Sequence, residues 1–361
     1  MKDAITLLDV ANAARVSKAT VSNVFSRPER VRPELRARVE AIALELGYTG
    51  PDPRGRMLSS GKVNAIGVVP PAESGFSWVF ADPYMCEFLA GVAQICEQHR
   101  ASLSLIAARD RQGGLGIRGA VVDGFILGSI EQAEFIEPSM RRKLPFVVMD
   151  VDGSADISSV RIDDRGGARQ LAGHLLALGH RKFAICSVSR RTMAPVVHLP
   201  NGGPRELVAA YPSDRERLAG IAEALAEAGL SIDDVPIVEA CGTEEEKWLY
   251  GGGGASLVLD NAPDATAIIT LSGPLTLAVL AEAQRRGISV PGRLSIAGFD
   301  TPPEVAHTTP PLTTIAQPVA EKGRAAARIL FEPGPVQHLV LPVELQIRAS
   351  TAPPPKARRH R

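Results

Sequence analysis

The 361-residue sequence predicts an all-α N-terminal head joined to an α/β body of two subdomains. Three observations lead there. Apolar residues recur at helical spacing through the first 46 residues. A Pro/Gly/Ser-rich stretch, 49–62, then offers almost nothing to bury. From Val63 onward short apolar runs bounded by turns alternate with amphipathic helical patterns, the texture of a parallel, doubly wound sheet. The stretch 63–345 is too long for one such sheet, so two are expected.

In the head, Leu7, Val10, Ala11 and Ala14 mark one face of a first helix. Arg15-Val16-Ser17 breaks it, and Ser17 can cap the next helix. That second helix buries Val21, Val24 and Phe25, exposes Lys18, Ala19, Ser22 and Asn23, and ends at Ser26-Arg27-Pro28. The third opens on Pro33, a good first-turn residue, carries Leu35, Val39, Ile42, Ala43 and Leu46 inward, and stops at Gly47. In the body, strands are expected at 65–69, 103–107, 124–127, 146–149, 183–186, 267–271 and 294–298. Helices are expected at 84–99, 166–178, 214–228 and 275–286.

The formal net charge is zero, but it is unevenly spread. Residues 1–62 hold 11 Lys/Arg against 7 Asp/Glu, and 346–361 hold 5 against none, so both ends are basic. The middle, 63–345, holds 24 against 33. A basic end on an acidic body points to a polyanion that meets only part of the chain. The second helix supports this reading. Its exposed face is small and polar, as base edges in a major groove require, and Arg27, Arg30, Arg32, Arg36 and Arg38 flank it for phosphates. The expected partner is double-stranded DNA.

Other classes are disfavoured. No run of eighteen apolar residues exists, so no membrane partner is expected. Asp9 and Asn12 interrupt the N-terminal apolar residues, so no signal peptide is expected, and the sparse cysteines make a reducing cytoplasm the expected location. Cys86, Cys96, Cys186 and Cys241 lie far apart, which fits neither a zinc site nor a disulfide framework. The GxGxxG at 114–119 leads into a strand rather than a helix, so it is no pyrophosphate cradle. His174 and His180 are poorly spaced for a metal. No catalytic arrangement of Ser/His/Asp or paired carboxylates appears, so neither a cofactor nor enzymatic activity is expected.

The run LLDVANAARVSKATVSNVFSRPERVRPELRARVEAIALELGY resembles the headpiece of LacI/GalR-family bacterial transcription regulators. The resemblance continues in order through VDGFIL (122–127), LPFVVMD (144–150), VRIDDRGGARQLAGHLLALGHRKFAI (160–185) and RLAGIAEALAEAGL (217–230). It ends with GISVPGRLSIAGFDTPPE (287–304) and PPLTTIAQPVAEKGRAAARILF (310–331). The resemblance implies a helix-turn-helix domain at 1–48, a hinge helix at 49–62 and a periplasmic-binding-protein-like core at 63–345 built of two Rossmann-like subdomains. Mapped onto this chain, the first subdomain takes about 63–164 plus 302–318 and the second about 165–300 plus 319–345. The basic tail, 346–361, is expected to be disordered.

The same resemblance assigns roles. Lys18, Ala19 and Asn23 occupy base-reading positions, and Thr6, Ser17, Thr20, Ser22 and Arg36 phosphate-contacting ones. Arg56 is the basic position of the hinge, and Leu58 is the wedge pushed into the minor groove. Phe76, Asp150, Arg217, Trp248, Ser272 and Asp300 are expected around a sugar-like effector, with Trp78 a further stacking candidate. A homodimeric repressor on a pseudopalindromic operator is the implied function. Control by a protein co-regulator, or a solute-binding module with a vestigial head, are the alternatives. The chain departs from the family pattern at Arg15 (for a turn glycine), Gly55 (for alanine) and Ser272-Gly273, in a longer 189–212 and in a shorter 109–119.

Overall fold

The computed structural model describes residues 5–48, 50, 61–70, 76–108, 116–128, 141, 143–188, 194–200, 207, 211–240, 253–300, 306–332 and 334–356. The chain divides into two compact units at Val63/Asn64.

In the first unit α1 (Leu7–Ala14) starts in a capping box. Thr6 accepts from the Asp9 backbone while Asp9 accepts from Thr6 N–H at 2.8 Å. Ser17 caps α2 (Lys18–Ser26) by accepting from Thr20 N–H at 3.0 Å, and Pro33 opens α3 (Pro33–Leu46), which Gly47 closes at φ 75°. The three helices enclose Val10, Ala11, Ala14, Val21, Val24, Val39, Ala43 and Tyr48. Phe25 is only half-buried, edge-on to Tyr48 with ring centroids 5.5 Å apart. Between α1 and α2 Arg15 sits at φ 51°, the left-handed conformation that a non-glycine side chain resists.

The body holds two sheets. The first comprises β1 (Ala65–Val69), β2 (Ser102–Leu105), β3 (Gly124–Gly128), β4 (Phe146–Met149), β5 (Ser158–Ile162) and β12 (His338–Leu341), all parallel in the order β12-β5-β4-β3-β1-β2. After the short α4 (Phe76–Ala81), α5 (Pro83–Gln98) packs on it together with α10 (Val319–Phe331). These two helices cross at backbone contact: a Cβ on Gly91 would meet Ala320 O at 2.0 Å, and one on Gly323 would meet Phe88 O at 2.2 Å.

The second sheet comprises β6 (Phe183–Val188), β7 (Val196–His198), β8 (Ile237–Ala240), β9 (Ala267–Thr270), β10 (Ser295–Phe299), β11 (Thr313–Ala316) and β13 (Glu344–Gln346). Its order is β13-β11-β10-β9-β6-β8-β7, antiparallel only at its two edges. Helices α6 (Asp164–Ala177) and α7 (Pro212–Glu227) cover one face through Leu171, Leu175, Ile221 and Leu225. Helices α8 (Gly254–Asn261) and α9 (Gly273–Arg285) cover the other through Val258, Leu275 and Val279. Apolar helices on both faces explain why the central strands are buried end to end.

Two expectations are corrected. The resemblance places residues 302–318 in the first subdomain and 319–345 in the second, but β11 pairs with β10 (Ala297↔Thr313) in the second sheet. The succeeding α10 and β12 belong to the first, where His338 pairs with Ser159, and the chain returns to the second only at β13. The chain therefore crosses between sheets three times, near 163, 317 and 343. The tail is also ordered further than its composition suggests. Ser350 is buried, donates to Ile296 O at 2.6 Å and accepts from Thr313 N–H at 2.8 Å, and His180 meets Ala352 O at 2.9 Å. Residues 357–361 lie outside the described residues. Of the long 189–212 segment, 196–198 forms edge strand β7, whose His198 meets the buried Glu239 at 2.8 Å.

Candidate functional site

In the head, α2 presents Lys18 and Ala19 exposed, with Thr20, Ser22 and Asn23 half-buried along the same helix. Among the described residues neither the Lys18 ammonium nor the Asn23 amide has a hydrogen-bond partner. Asn23 lies one turn beyond Ala19, so both side chains can reach one groove. Three of the residues expected at phosphates also hold the helix starts: Thr6 caps α1, Ser17 caps α2, and the Ser17 and Thr20 hydroxyls lie 2.8 Å apart. Their backbone ends carry the N-terminal partial positive charge that favours phosphate. Arg36 pairs with Glu40 at 2.7 Å on an exposed surface, a link that solvent keeps weak. Arg56 and Leu58 lie outside the described residues.

In the body, the carboxyl ends of the two sheets supply a polar cluster, where open α/β sheets place their ligands. Asp150 follows β4 at φ 58° and Asp300 follows β10 at φ 67°, so each sheet turns out of a central strand through a left-handed aspartate. Lys322 of α10, 1% exposed, donates to Asp150 Oδ1 at 2.5 Å, Tyr84 Oη at 2.7 Å and Gln317 Oε1 at 3.2 Å. Gln317, on the second crossing, donates through its amide to Asp300, which also accepts from Gly273 N–H at 3.3 Å. The two subdomains are thus tied through Asp150, Lys322, Gln317 and Asp300.

On the second subdomain, Arg217 of α7 donates to Asp164 Oδ1 at 2.7 Å and to Leu271 O at 2.5 Å, its guanidinium 4.1 Å above the Phe299 ring. Burial works against the Arg217 charge, but Asp164, Asp300 and Asp214 outweigh it and raise its affinity for the proton. Asp164 is itself raised, because desolvation exceeds the help Arg217 provides. Asp214, one turn before Arg217, is pushed up to about 7, chiefly by burial, and its Oδ2 lacks a hydrogen-bond partner. Asp82 caps α5 through Tyr84 N–H at 3.0 Å and is also pushed up to about 7, by burial first and then by Asp300. Tyr84 is raised by burial and by Asp150.

Of the six residues expected at an effector, three (Asp150, Arg217 and Asp300) belong to this connected cluster, and Ser272 adjoins it. Ser272 precedes α9, its Oγ buried without a partner. Phe76 opens α4 and is 41% exposed. Trp248 and the Trp78 side chain lie outside the described residues. Sequence reasoning missed Asp82, Tyr84, Asp164, Asp214, Gln317 and Lys322. A signal existed for Lys322, which shares the apolar face of α10 with Val319, Gly323 and Ala326 where an exposed lysine would not be expected. Asp82-Pro83 was likewise readable as a helix start, an N-cap followed by a first-turn proline. Among the described residues no group of His, Cys, Asp or Glu could hold a metal ion, and no helix is long and apolar enough to cross a membrane.

Residues 6–50 match the family of bacterial regulatory proteins named lacI, and 172–351 match a periplasmic binding protein-like domain. An HTH-type transcriptional regulator of Mycobacterium tuberculosis is 35% identical over 97% of this chain and 97% of its own. The transcriptional repressor CytR of Escherichia coli is 30% identical over 96% of both. Among solved structures, the transcriptional regulator CelR in its cellobiose complex has a TM-score of 0.65 at 27% identity, covering 96% of this chain and 99% of that one.

Proposed function

Because the chain belongs to the LacI family of bacterial DNA-binding transcriptional regulators, we propose that it is a repressor whose grip on DNA is altered by a sugar-like effector held between the two subdomains of its body. It is not an enzyme. The observation that carries the proposal is α2: a helix capped by Ser17 that offers Lys18, Ala19 and Asn23 to solvent beside a basic flank. A homodimer sets two such helices on the half-sites of a pseudopalindromic operator. In this reading Lys18, Ala19 and Asn23 face bases, Thr6, Ser17, Thr20, Ser22 and Arg36 face phosphates, and Arg56 and Leu58 of the hinge enter the minor groove. The effector meets Asp150, Arg217, Ser272 and Asp300, with Phe76 and Trp248 as stacking partners. The network from Asp150 through Lys322 and Gln317 to Asp300 supports a coupling role, since any ligand that takes Asp300 competes with Gln317 at a crossing between subdomains.

The test is selection of duplexes from a random pool, then gel shift against salt. Binding is expected to select a pseudopalindrome, to weaken steeply with salt as counterions are released, and to vanish when residues 1–62 are deleted. Specific binding retained by the deletion variant overturns the proposal.

A further inference from the structure

We propose that the effector carries a basic nitrogen: the body's cleft is built for a hydroxyl-rich ligand whose ammonium group lies among Asp82, Asp214 and Asp300. This rests on the proposed effector site and adds the charge of its ligand. Among the described residues the cluster contains five carboxyl groups (Asp82, Asp150, Asp164, Asp214 and Asp300) and two cations, and each cation is already engaged. Lys322 is bound to Asp150, and Arg217 to Asp164 and the Leu271 carbonyl. The other three carboxyls accept hydrogen bonds only from neutral donors, and the Arg217 charge is shared by Asp214 and Asp300 at longer range. Asp300 accepts from the Gln317 amide and Gly273 N–H, and Asp82 accepts from Tyr84 N–H. Asp214, 4% exposed, keeps Oδ2 without a partner. Ser272 Oγ, beside Gly273, is a further buried acceptor without a partner.

These three carboxyls, none of which forms an ion pair among the described residues, come from both subdomains, Asp82 from the first and Asp214 and Asp300 from the second. They sense one another, since Asp300 raises both Asp82 and Asp214. Buried carboxyls that outnumber the cations beside them favour a ligand cation, and a charge-assisted hydrogen bond is its strongest contact. A ligand phosphate or carboxylate would instead add to the repulsion, with both cations of the cluster already paired.

The test compares sorbitol, 1-amino-1-deoxysorbitol and gluconate, which share a skeleton and differ at one terminus as alcohol, ammonium and carboxylate. Their shorter four- and five-carbon counterparts are included. Full-length protein is monitored at pH 8 by thermal shift and calorimetry. The amine at one chain length is expected to raise Tm and to bind about tenfold more tightly than its alcohol. Asp300→Asn is expected to erase that preference. An alcohol that binds as tightly as its amine, a carboxylate that binds best, or a whole series that leaves Tm unmoved overturns the inference. Gel shifts with the same compounds keep the two readings apart. An alcohol that binds and alters operator affinity sinks the ammonium inference alone, whereas an amine that binds without altering it sinks the regulatory coupling alone.

Discussion

Replacing Lys322 with methionine isolates the buried charge pair that joins the first subdomain to the crossing segment. Methionine fills the volume of the lysine stem, so the change removes the ammonium with little loss of packing. Three contacts disappear: the 2.5 Å pair with Asp150, the 2.7 Å bond to Tyr84 and the 3.2 Å bond to Gln317. Breaking a buried pair by removing one partner costs about 3–5 kcal/mol. Here Asp150 is 16% exposed and still accepts from the Tyr84 hydroxyl at 3.2 Å, which places the loss at the lower end. A destabilisation of about 3 kcal/mol corresponds to a fall of about 6–12 °C in Tm for a body of this size. Asp150→Asn in the same chain removes the orphaned charge, so the double variant is expected to regain at least half of that loss. Calorimetry on the wild type, both single variants and the double variant completes the cycle. A Lys322→Met protein within about 0.5 kcal/mol of wild type, or a double variant whose losses merely add, refutes the assignment of Lys322 as counterion to Asp150.

Three further outcomes are expected. Arg15→Gly relieves the left-handed residue between α1 and α2 and should stabilise the head by about 0.5–1 kcal/mol, read as a higher urea midpoint; a lower one refutes the strain. Asp214 sits near 7 in the fold against an ordinary value near 4, so the native state holds its proton longer than the unfolded chain does. Its contribution is therefore fully present below about 4 and lost as pH rises toward and past 7, by about 2–3 kcal/mol between pH 5 and 8. Asp214→Asn should flatten the pH dependence of the urea midpoint by that share, and an unchanged slope would sink the burial argument. Asn23 suits adenine, whose N7 and N6 its amide can bridge, so Asn23→Arg should move one base preference toward guanine by about 1–3 kcal/mol and leave other positions alone. Guanine recovered at that position by the unmodified protein shows the register to be wrong.

Local signals determined much of this protein. Ser17, Pro33 and Gly47 delimit α2 and α3 because caps and first-turn prolines act within a few residues of themselves. Strands β1 and β4 coincide with their apolar runs because a strand covered on both faces must be apolar throughout. The motifs around Asp150, Arg217 and Asp300 single out three residues that lie in the polar cluster at the carboxyl ends of the sheets. Tertiary structure alone decided which sheet each late segment joins, since pairing of β11 with β10 and of β12 with β5 is set by partners far along the chain. It also decided the state of residues 346–356, whose proline-rich, basic composition reads as disorder until Ser350 finds Ile296 and Thr313. Arg15 is a further case: it takes φ 51° at the corner between α1 and α2, a conformation its own side chain disfavours, within a head whose three helices share one core. Lys322 lies on an apolar face where a lysine alone would be unstable, and only the approach of Asp150 and Tyr84 from distant segments, with Gln317 just before the helix, satisfies its buried ammonium.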